Sequence, residues 1–249
     1  ITREDTVVCV LGEHESQSGE AASRAFLTLP EEQQRLFEKI VKRTDNIVTV
    51  IISGRPLDLR RISEKSKAVI MAWRPGTMGA EGIVDLVYGM INPSGKLAVS
   101  IPWCVGQVPI SYWDIKTGHV LTEDNLENRF TSRYMDIPNS PLYPFGFGLS
   151  YTEFKYDHLT VSSKELDDEN EIIVEVDVTN VGACAGKEVV QLYIAAPGKT
   201  MVKPQKELKA FAKTKILAPG ESEVVRLVVG LSELASFDEQ ASCWAVESG

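Results

Sequence analysis

Apolar and polar residues follow two alternating patterns in the first hundred positions of the chain. Short continuous apolar runs, rich in β-branched residues, are typical of strands in a parallel sheet that is covered on both faces. Three such runs span residues 6–11, 46–52 and 68–73, and a last short strand is predicted over residues 96–101. Because predicted helices separate these strands, the pattern indicates an α/β domain with a parallel or mixed sheet.

Two helices are predicted between these strands. In the first, apolar residues recur at helical spacing on one face; they are Leu36, Phe37, Ile40 and Val41. Thr28 is the predicted cap of this helix, and Pro30 lies in its predicted first turn. The second helix is predicted around residues 80–88, and Gly89 follows it at the position where a left-handed residue commonly ends a helix.

From residue 102 to about residue 156 the regular pattern is lost, and turns and aromatic residues replace it. A loop of this length in a compact protein tends to be functional or to fasten one domain to another. Rings and glycines are mixed in the segment 143–151, Tyr-Pro-Phe-Gly-Phe-Gly-Leu-Ser-Tyr. This composition favours packing between domains over direct contact with a ligand.

The last hundred residues change to the period of half-buried strands. Val174, Val176 and Val178 alternate with charged residues, and further short strands are predicted at 189–194, 208–211 and 224–229. Several short strands at this spacing are typical of a β-sandwich of the immunoglobulin or fibronectin type. The predicted organisation is therefore an α/β domain over residues 1–150, with a long aromatic strap at 102–156, and an all-β domain over residues 151–249.

Charge and composition narrow the classes of function. The 249 residues carry a formal net charge of −9 and have a pI of about 5.0, so the chain lacks the basic field that a nucleic acid or an anionic membrane attracts. No apolar run approaches the roughly 20 residues of a membrane-spanning helix, and the first residues do not form a signal peptide. Because residue 1 is not Met and the chain stops at residue 249 inside a strand-like pattern, we expect an excised fragment.

Cysteine and histidine positions predict neither a metal site nor a cofactor. The four cysteines are far apart, which favours buried free thiols over a disulfide or a zinc site. Neither His119 nor His158 lies in a pattern of Cys and carboxylate residues that suggests a metal site, and the chain contains no glycine-rich phosphate-binding motif of a nucleotide-binding domain. The acidic pI and the unpaired cysteines favour a cytoplasmic location, while the missing natural N-terminus leaves the periplasm or secretion open.

A loop that bears carboxylates follows the first predicted strand. Loops that leave the carboxyl ends of parallel strands line the ligand crevice of open α/β sheets. This loop contains Ser18-Gly19-Glu20, and Arg24 follows four positions after Glu20. Glu20 is therefore a candidate proton donor or acceptor, although most Glu/Arg pairs at a protein surface are solvated charges.

Taken in order, the motifs of the chain resemble glycoside hydrolase family 3, the β-glucosidase and β-xylosidase family. The segments that carry the resemblance in the α/β part are 12–13, 18–24, 29–30, 53–57, 73–76, 92–97 and 143–151. Segments in the tail resemble the fibronectin III-like domain of that family; they are 178–182, 189–193, 206–209 and 219–221. The resemblance covers essentially the whole chain.

The resemblance implies a division of labour within a longer protein. Enzymes of this type begin with a TIM-like barrel that carries the nucleophilic Asp, and that barrel is absent here. What remains is similar to the later part of the second, α/β sandwich domain, followed by the third domain. The family's acid/base Glu lies on a loop of the second domain, and Glu20 matches it, with Glu13 and Glu15 as rivals on the same loop.

Three further residues are candidate contacts for a substrate. Ser18 is the first residue of the matching Ser-Gly-Glu pattern, and Arg24 is expected either to anchor the loop through other partners or to contact a leaving-group sugar. Trp73 is a candidate for stacking on a sugar ring, with a place in the core as the alternative. His14 lies near Glu20, but it has no matching context in the family and is expected to be incidental.

The function implied by the resemblance is that of an exo-acting, retaining β-glucosidase that hydrolyses terminal non-reducing β-D-glucosyl residues. The fragment would supply the general acid/base and be inactive alone. A β-xylosidase of the same family and a non-catalytic carbohydrate-binding or scaffolding module remain as alternatives. The expected partners are a β-glucoside or oligosaccharide substrate and the missing barrel of the same chain, with neither nucleic acid nor membrane; a homo-oligomer is left open.

Overall fold

The computed structural model describes residues 1–115, 118–162, 171–198 and 201–247, and the chain divides into two compact units. Unit 1 consists of three stretches, which are Ile1–Met90, Ala98–Ser111 and Tyr134–Phe145. Unit 2 consists of the rest, which is Ile91–Leu97, Tyr112–Arg133 and the chain from Gly146 onward. The two units have different architectures, and each is described separately.

Unit 1 is built on a sheet of three parallel strands in the order β1-β2-β3. The strands are β1 (Val7–Gly12), β2 (Ile47–Ile52) and β3 (Ala68–Met71). Each strand is followed by a helix, and these are α1 (Glu31–Val41), α2 (Arg60–Lys65) and α3 (Gly79–Val87). The predicted α/β class with a parallel sheet is thus confirmed.

The core of unit 1 lies where the central strand meets the helices. Its fully buried side chains include Ile47, Val50 and Ile51 of β2 and Phe37 of α1. Burial of such side chains stabilises a fold by about 1.5–3 kcal/mol each. Among the other predicted apolar positions of α1, Ile40 is buried, whereas Leu36 faces solvent.

Strand β1 is less buried than its apolar sequence predicts. Cys9 and Leu11 are buried, but Val8 is 44% and Val10 58% exposed. Alternate side chains of a strand point to opposite faces of the sheet, so Cys9 and Leu11 share the buried face and Val8 and Val10 the exposed one. The expectation of a continuously buried strand was wrong here because burial depends on what covers each face.

The ends of the helices agree only partly with the predictions. Gly89 has a φ of 73° and follows α3, as predicted. Pro30 rather than Thr28 occupies the cap position of α1, and no side chain caps that helix. The predicted strand over residues 96–101 does not form: its last residue, Ile101, makes a single bridge to Tyr143.

Unit 2 contains an antiparallel sheet in the order β4-β5-β8 and a separate antiparallel pair, β6-β7. The strands are β4 (Phe154–Val161), β5 (Glu171–Asn180), β6 (Val189–Ile194), β7 (Glu207–Lys213) and β8 (Ser222–Gly230), followed by a hairpin of β9 (Ser236–Asp238) and β10 (Cys243–Ala245). The buried core cluster draws on several strands and comprises Val174, Val176, Val178, Val190, Leu217, Val225 and Leu227. The predicted β-sandwich is confirmed, and the alternation along β5 follows the predicted period.

The structure bears on the predictions about membrane-spanning helices and about the cysteines. None of the helices among the described residues is long and apolar enough to span a membrane. All four cysteines are free, as predicted, but only Cys9 is buried, and Cys184 and Cys243 are exposed. The prediction that the thiols are buried therefore holds for one position.

Candidate active site

The loops that follow the three parallel strands all leave the sheet at the carboxyl ends of these strands, which form its carboxyl edge. Glu13 follows β1, and its N–H donates to the carbonyl of Ile52 at the end of β2, 2.9 Å away. The N–H of Ser53 in turn donates to the carbonyl of Trp73 beyond β3, at 3.1 Å. Since the strands run in the same direction, this edge is where an open α/β sheet presents its ligand-binding loops.

Gly12 fixes the point at which the first loop begins. A Cβ at this position would lie 1.8 Å from the carbonyl oxygen of Ile52, so only glycine permits the close approach of the two strands. The side-chain amide of Gln33 in α1 accepts from the Gly12 N–H at 2.8 Å and donates to the Gly12 carbonyl at 2.9 Å. The start of the loop is therefore fastened to both the neighbouring strand and the helix.

Glu13 is the centre of a buried ionic cluster. Its side chain is 0% exposed, and its carboxylate accepts from Nη1 of Arg24 and from Oγ of Ser53, each at 2.7 Å. The Nε of Arg55 lies 3.3 Å from the same carboxylate. Burial alone would raise the pKa of Glu13, but the hydrogen bonds from Arg24 and Ser53 and the charge of Arg55 outweigh it and lower the pKa below its usual value.

The remainder of the loop is a pair of short turns that presents Glu20 to solvent. A 3₁₀ helix, Glu15–Gln17, is capped by the ring of His14, which accepts from the N–H of Ser16 at 3.2 Å. The N–H of Ala22 then donates to the carbonyl of Gly19 at 3.3 Å, which closes a turn with Glu20 at its first corner. Glu20 is exposed.

Arg55 is the side chain that joins the loop to the end of β2. Its Nη2 donates to the carbonyls of Gln17 and Ala22, each at 2.8 Å. Sequence analysis placed Arg55 in a family motif but assigned it no role. The signal was its position after β2, because parallel strands bring the residues that follow them to the same edge.

The predicted site residues occupy different environments at this edge. Ser18 is partly buried, and its Oγ would lie 2.2 Å from a Cβ on Gly54, so a larger residue at position 54 would make the Ser18 hydroxyl move. Arg24 is 21% exposed, and besides Glu13 it binds the carbonyl of Thr28 at 3.0 Å. Trp73 is partly buried and has a φ of 53°, a value that side-chain-bearing residues rarely adopt.

Metal binding was not predicted, and the described residues contain no group of three or more His, Cys, Asp or Glu side chains that could hold a metal ion. Among the described residues of this edge, Glu20 is an exposed carboxyl group on a loop that Arg55 fastens at two carbonyls. Such a group can donate or accept a proton. It would need a second carboxyl group to complete a retaining glycosidase site, since that reaction uses two of them.

Comparison with models of protein families identifies the family of the chain. A model of the glycosyl hydrolase family 3 C-terminal domain matches residues 1–151, and a model of the fibronectin type III-like domain matches residues 188–249. The chain belongs to glycosyl hydrolase family 3. The family predicted from the motifs is thereby confirmed, together with its fibronectin type III-like domain.

Individual family 3 relatives match almost the whole chain. It is 38% identical over 236 residues to the periplasmic beta-glucosidase of Salmonella typhimurium, covering 95% of this chain and 31% of the relative. It is 35% identical over 230 residues to a beta-xylosidase of Formosa agariphila, covering 92% of this chain and 31% of the relative. The solved beta-glucosidase of Listeria innocua in complex with glucose matches with a TM-score of 0.90 and 38% identity, covering 98% of this chain and 34% of that chain.

These matches bear on two further predictions. The chain spans about a third of the length of these family 3 relatives, as expected of a C-terminal part. The Salmonella relative is periplasmic by its name, and the comparisons give no support to a cytoplasmic location.

Proposed function

We propose that this chain is the C-terminal part of an exo-acting, retaining β-glucosidase and that Glu20 is its general acid/base. The observation that carries the assignment is the contrast between two carboxylates of one loop. Glu13 is enclosed by Arg24, Ser53 and Arg55 and is not accessible to a substrate, whereas Glu20 lies exposed at the corner of a turn. Glu15 of the same loop is exposed as well, and Glu20 is preferred to it because Glu20 lies in the Ser-Gly-Glu pattern that resembles the family's acid/base segment.

The proposed chemistry requires two carboxyl groups about 5 Å apart. A nucleophilic carboxylate, supplied by a barrel outside this chain, attacks the anomeric carbon while Glu20 donates its proton to the departing oxygen. In the second step the Glu20 carboxylate takes a proton from water, which attacks the anomeric carbon and releases the sugar. Protonation of this kind contributes typically 10²–10⁴-fold to a rate.

Other residues of the edge have supporting roles in this proposal. Arg24 anchors the loop, because its guanidinium is bound to Glu13 and to the Thr28 carbonyl. Ser18 and Trp73 remain candidate contacts for the substrate, since both lie at the carboxyl edge of the sheet and are only partly buried. Of these two, Trp73 offers the aromatic face suited to stacking on a sugar ring.

The assignment of Glu20 can be tested in the complete parent enzyme with Glu20→Ala and aryl β-glucosides of different leaving-group ability. With a poor leaving group we expect kcat/KM to fall by about 10²–10⁴-fold, because the departing oxygen needs its proton. With a 2,4-dinitrophenyl leaving group kcat/KM should change little, and azide should restore turnover by forming the β-glucosyl azide. Glu15→Ala, which removes an exposed carboxylate from the same loop, is the matched control.

Two results would contradict the proposal. Undiminished hydrolysis of poor leaving groups by Glu20→Ala would remove Glu20 from the mechanism. If Glu15→Ala instead showed the dependence on leaving group and the rescue by azide, the role would belong to Glu15. A parent protein that binds oligosaccharides but hydrolyses neither substrate would be a non-catalytic binding module.

A β-xylosidase is the second candidate function, and the Formosa agariphila relative favours it. In the proposed enzyme most of the residues that bind the sugar lie in the barrel outside this chain. The ratio of kcat/KM for the 4-nitrophenyl β-glucoside to that for the β-xyloside in the parent enzyme decides between the two. We expect the glucoside to be preferred.

A further inference from the structure

The turn that carries Glu20 is bracketed by two hydrogen bonds from a single side chain. Nη2 of Arg55 donates at 2.8 Å to the carbonyl of Gln17, which precedes Glu20, and at 2.8 Å to the carbonyl of Ala22, which follows it. The two protons of one guanidinium nitrogen therefore hold both ends of the turn at a fixed separation.

Arg55 is itself held by the framework of the sheet. Its backbone N–H donates to Oγ of Ser53 at 3.2 Å, and its Nε lies 3.3 Å from the Glu13 carboxylate. Its side chain is 20% exposed. Because Ser53 and Glu13 directly follow β2 and β1, the guanidinium transmits the position of two rigid strands to the exposed turn.

The turn has few restraints of its own. It is closed by one bond of 3.3 Å between Gly19 and Ala22, and Ala21 has a φ of 57°, which is a strained conformation for a residue other than glycine. A turn of this kind relaxes when its outer contacts are lost. The described contacts of Arg24, in contrast, are with Glu13 and Thr28 at the two ends of the loop.

The geometry points to Arg55 as the positioning residue of the acid/base, a residue that touches no substrate but sets the place of Glu20 through the backbone on both sides of it. This inference rests on the proposed function of Glu20. A misplacement of about 1 Å in a catalytic group can cost on the order of 10²-fold in rate. The two hydrogen bonds from Arg55 to the carbonyls of Gln17 and Ala22, the Arg55 clamp, therefore bear directly on catalysis.

Arg55→Lys is the informative substitution. Lysine keeps a positive charge near Glu13, but its single ammonium group on a flexible stem cannot reproduce a planar fork that reaches Glu13 and both carbonyls. Arg61→Lys is the matched control, because Arg61 is another ion-paired arginine of unit 1, bound to Glu38 on the surface.

Kinetics of the parent enzyme provide the first measurement. In Arg55→Lys we expect kcat/KM for a poor leaving group to fall by about 10–100-fold and that for a 2,4-dinitrophenyl glucoside by less than about 3-fold, because only the former needs a well-placed proton. In the Glu20→Ala background the same substitution should add almost nothing, since residues that act as a unit are not additive. An equal loss on all substrates would overturn the inference and leave Arg55 a merely structural residue.

Hydrogen exchange provides a measurement that does not depend on catalysis. Peptides that cover residues 14–23 of the parent enzyme should exchange about 10-fold faster in Arg55→Lys than in the wild type or Arg61→Lys, because the bracketing bonds are lost. If hydrogen exchange of these peptides is the same in Arg55→Lys as in the wild type, the inference that Arg55 holds the turn is wrong, whatever the role of Glu20. If exchange rises while Glu20→Ala shows no dependence on leaving group, it is the proposed function that has failed.

Discussion

Glu13 illustrates how one buried charge can organise the loop around it. Its carboxylate is fully enclosed, and Arg24, Ser53 and Arg55 compensate for the cost of removing it from water. Two of these partners, Arg24 and Arg55, also bind backbone carbonyls of the loop. Removing Glu13 would therefore release both arginines at once.

At the residue scale, Glu13→Gln should lower the free energy of unfolding by about 3–5 kcal/mol at pH 7, because it leaves two partly buried guanidinium groups without their counter-charge. The pKa of Glu13 is lowered in the folded chain, so its contribution is present above the unfolded pKa of about 4.5 and is lost as the pH falls through the folded value. Urea unfolding measured at pH 7 and at pH 3.5 should show that the difference in the free energy of unfolding between wild type and variant is smaller at pH 3.5.

The control for this prediction is Glu38→Gln, which removes an exposed partner of Arg61. Surface pairs of this kind contribute about 0–1 kcal/mol. A Glu13→Gln variant no less stable than Glu38→Gln at pH 7 would show that the buried cluster is not the anchor of the loop.

At the scale of elements, helix α1 and strand β1 meet through the amide of Gln33. This side chain substitutes for a neighbouring strand, because it pairs with both the N–H and the carbonyl of Gly12. The pairing lies at the last residue of β1, immediately before the loop that bears Glu20. The helix therefore contributes to the place where the loop begins.

Gln33→Ala should lower the free energy of unfolding by about 1–3 kcal/mol, because it removes two hydrogen bonds and leaves partly buried backbone groups unpaired. The hydrogen-exchange rate of the Gly12 amide should rise in the same variant. Glu32→Ala, at a position of the same helix whose side chain is 79% exposed, is the control and should change stability by less than about 0.5 kcal/mol. Equal stability of the two variants would contradict the role given to Gln33.

At the scale of the whole molecule, the decisive fact is that the chain covers about a third of its family 3 relatives. The proposed mechanism places the nucleophile in a barrel that this chain does not contain. The two carboxyl groups of a retaining glycosidase would then come from different parts of the parent polypeptide.

We therefore expect the 249-residue chain by itself to release no aryl alcohol from 2,4-dinitrophenyl β-glucoside above the rate of a protein blank. It should also show no binding of glucose at millimolar concentrations in calorimetry, since the sugar pocket is assigned to the barrel. Hydrolysis by the isolated chain that disappeared in Glu20→Ala would contradict this division, because the chain would then hold both carboxyl groups.

Sequence reasoning was most successful where structure depends on neighbours along the chain. The period of 2 in β5, the apolar run of β2 and the left-handed glycine after α3 are consequences of local geometry, and all three were predicted. It failed for the strand expected at residues 96–101, whose local pattern fits a strand but which finds only one bridge, Ile101 to Tyr143.

The amino-acid sequence by itself determined the family, the succession of an α/β domain and a β-sandwich, and the loop on which the acid/base is proposed to lie. Only the tertiary structure decided that Glu13 of that loop is buried and Glu20 exposed, and only it showed the contacts on which the proposed role of Arg55 rests. The physical reason is that burial and pairing depend on residues brought together by parallel strands: Glu13 and Arg55 are 42 positions apart in sequence yet within 3.3 Å. No local period records such an encounter.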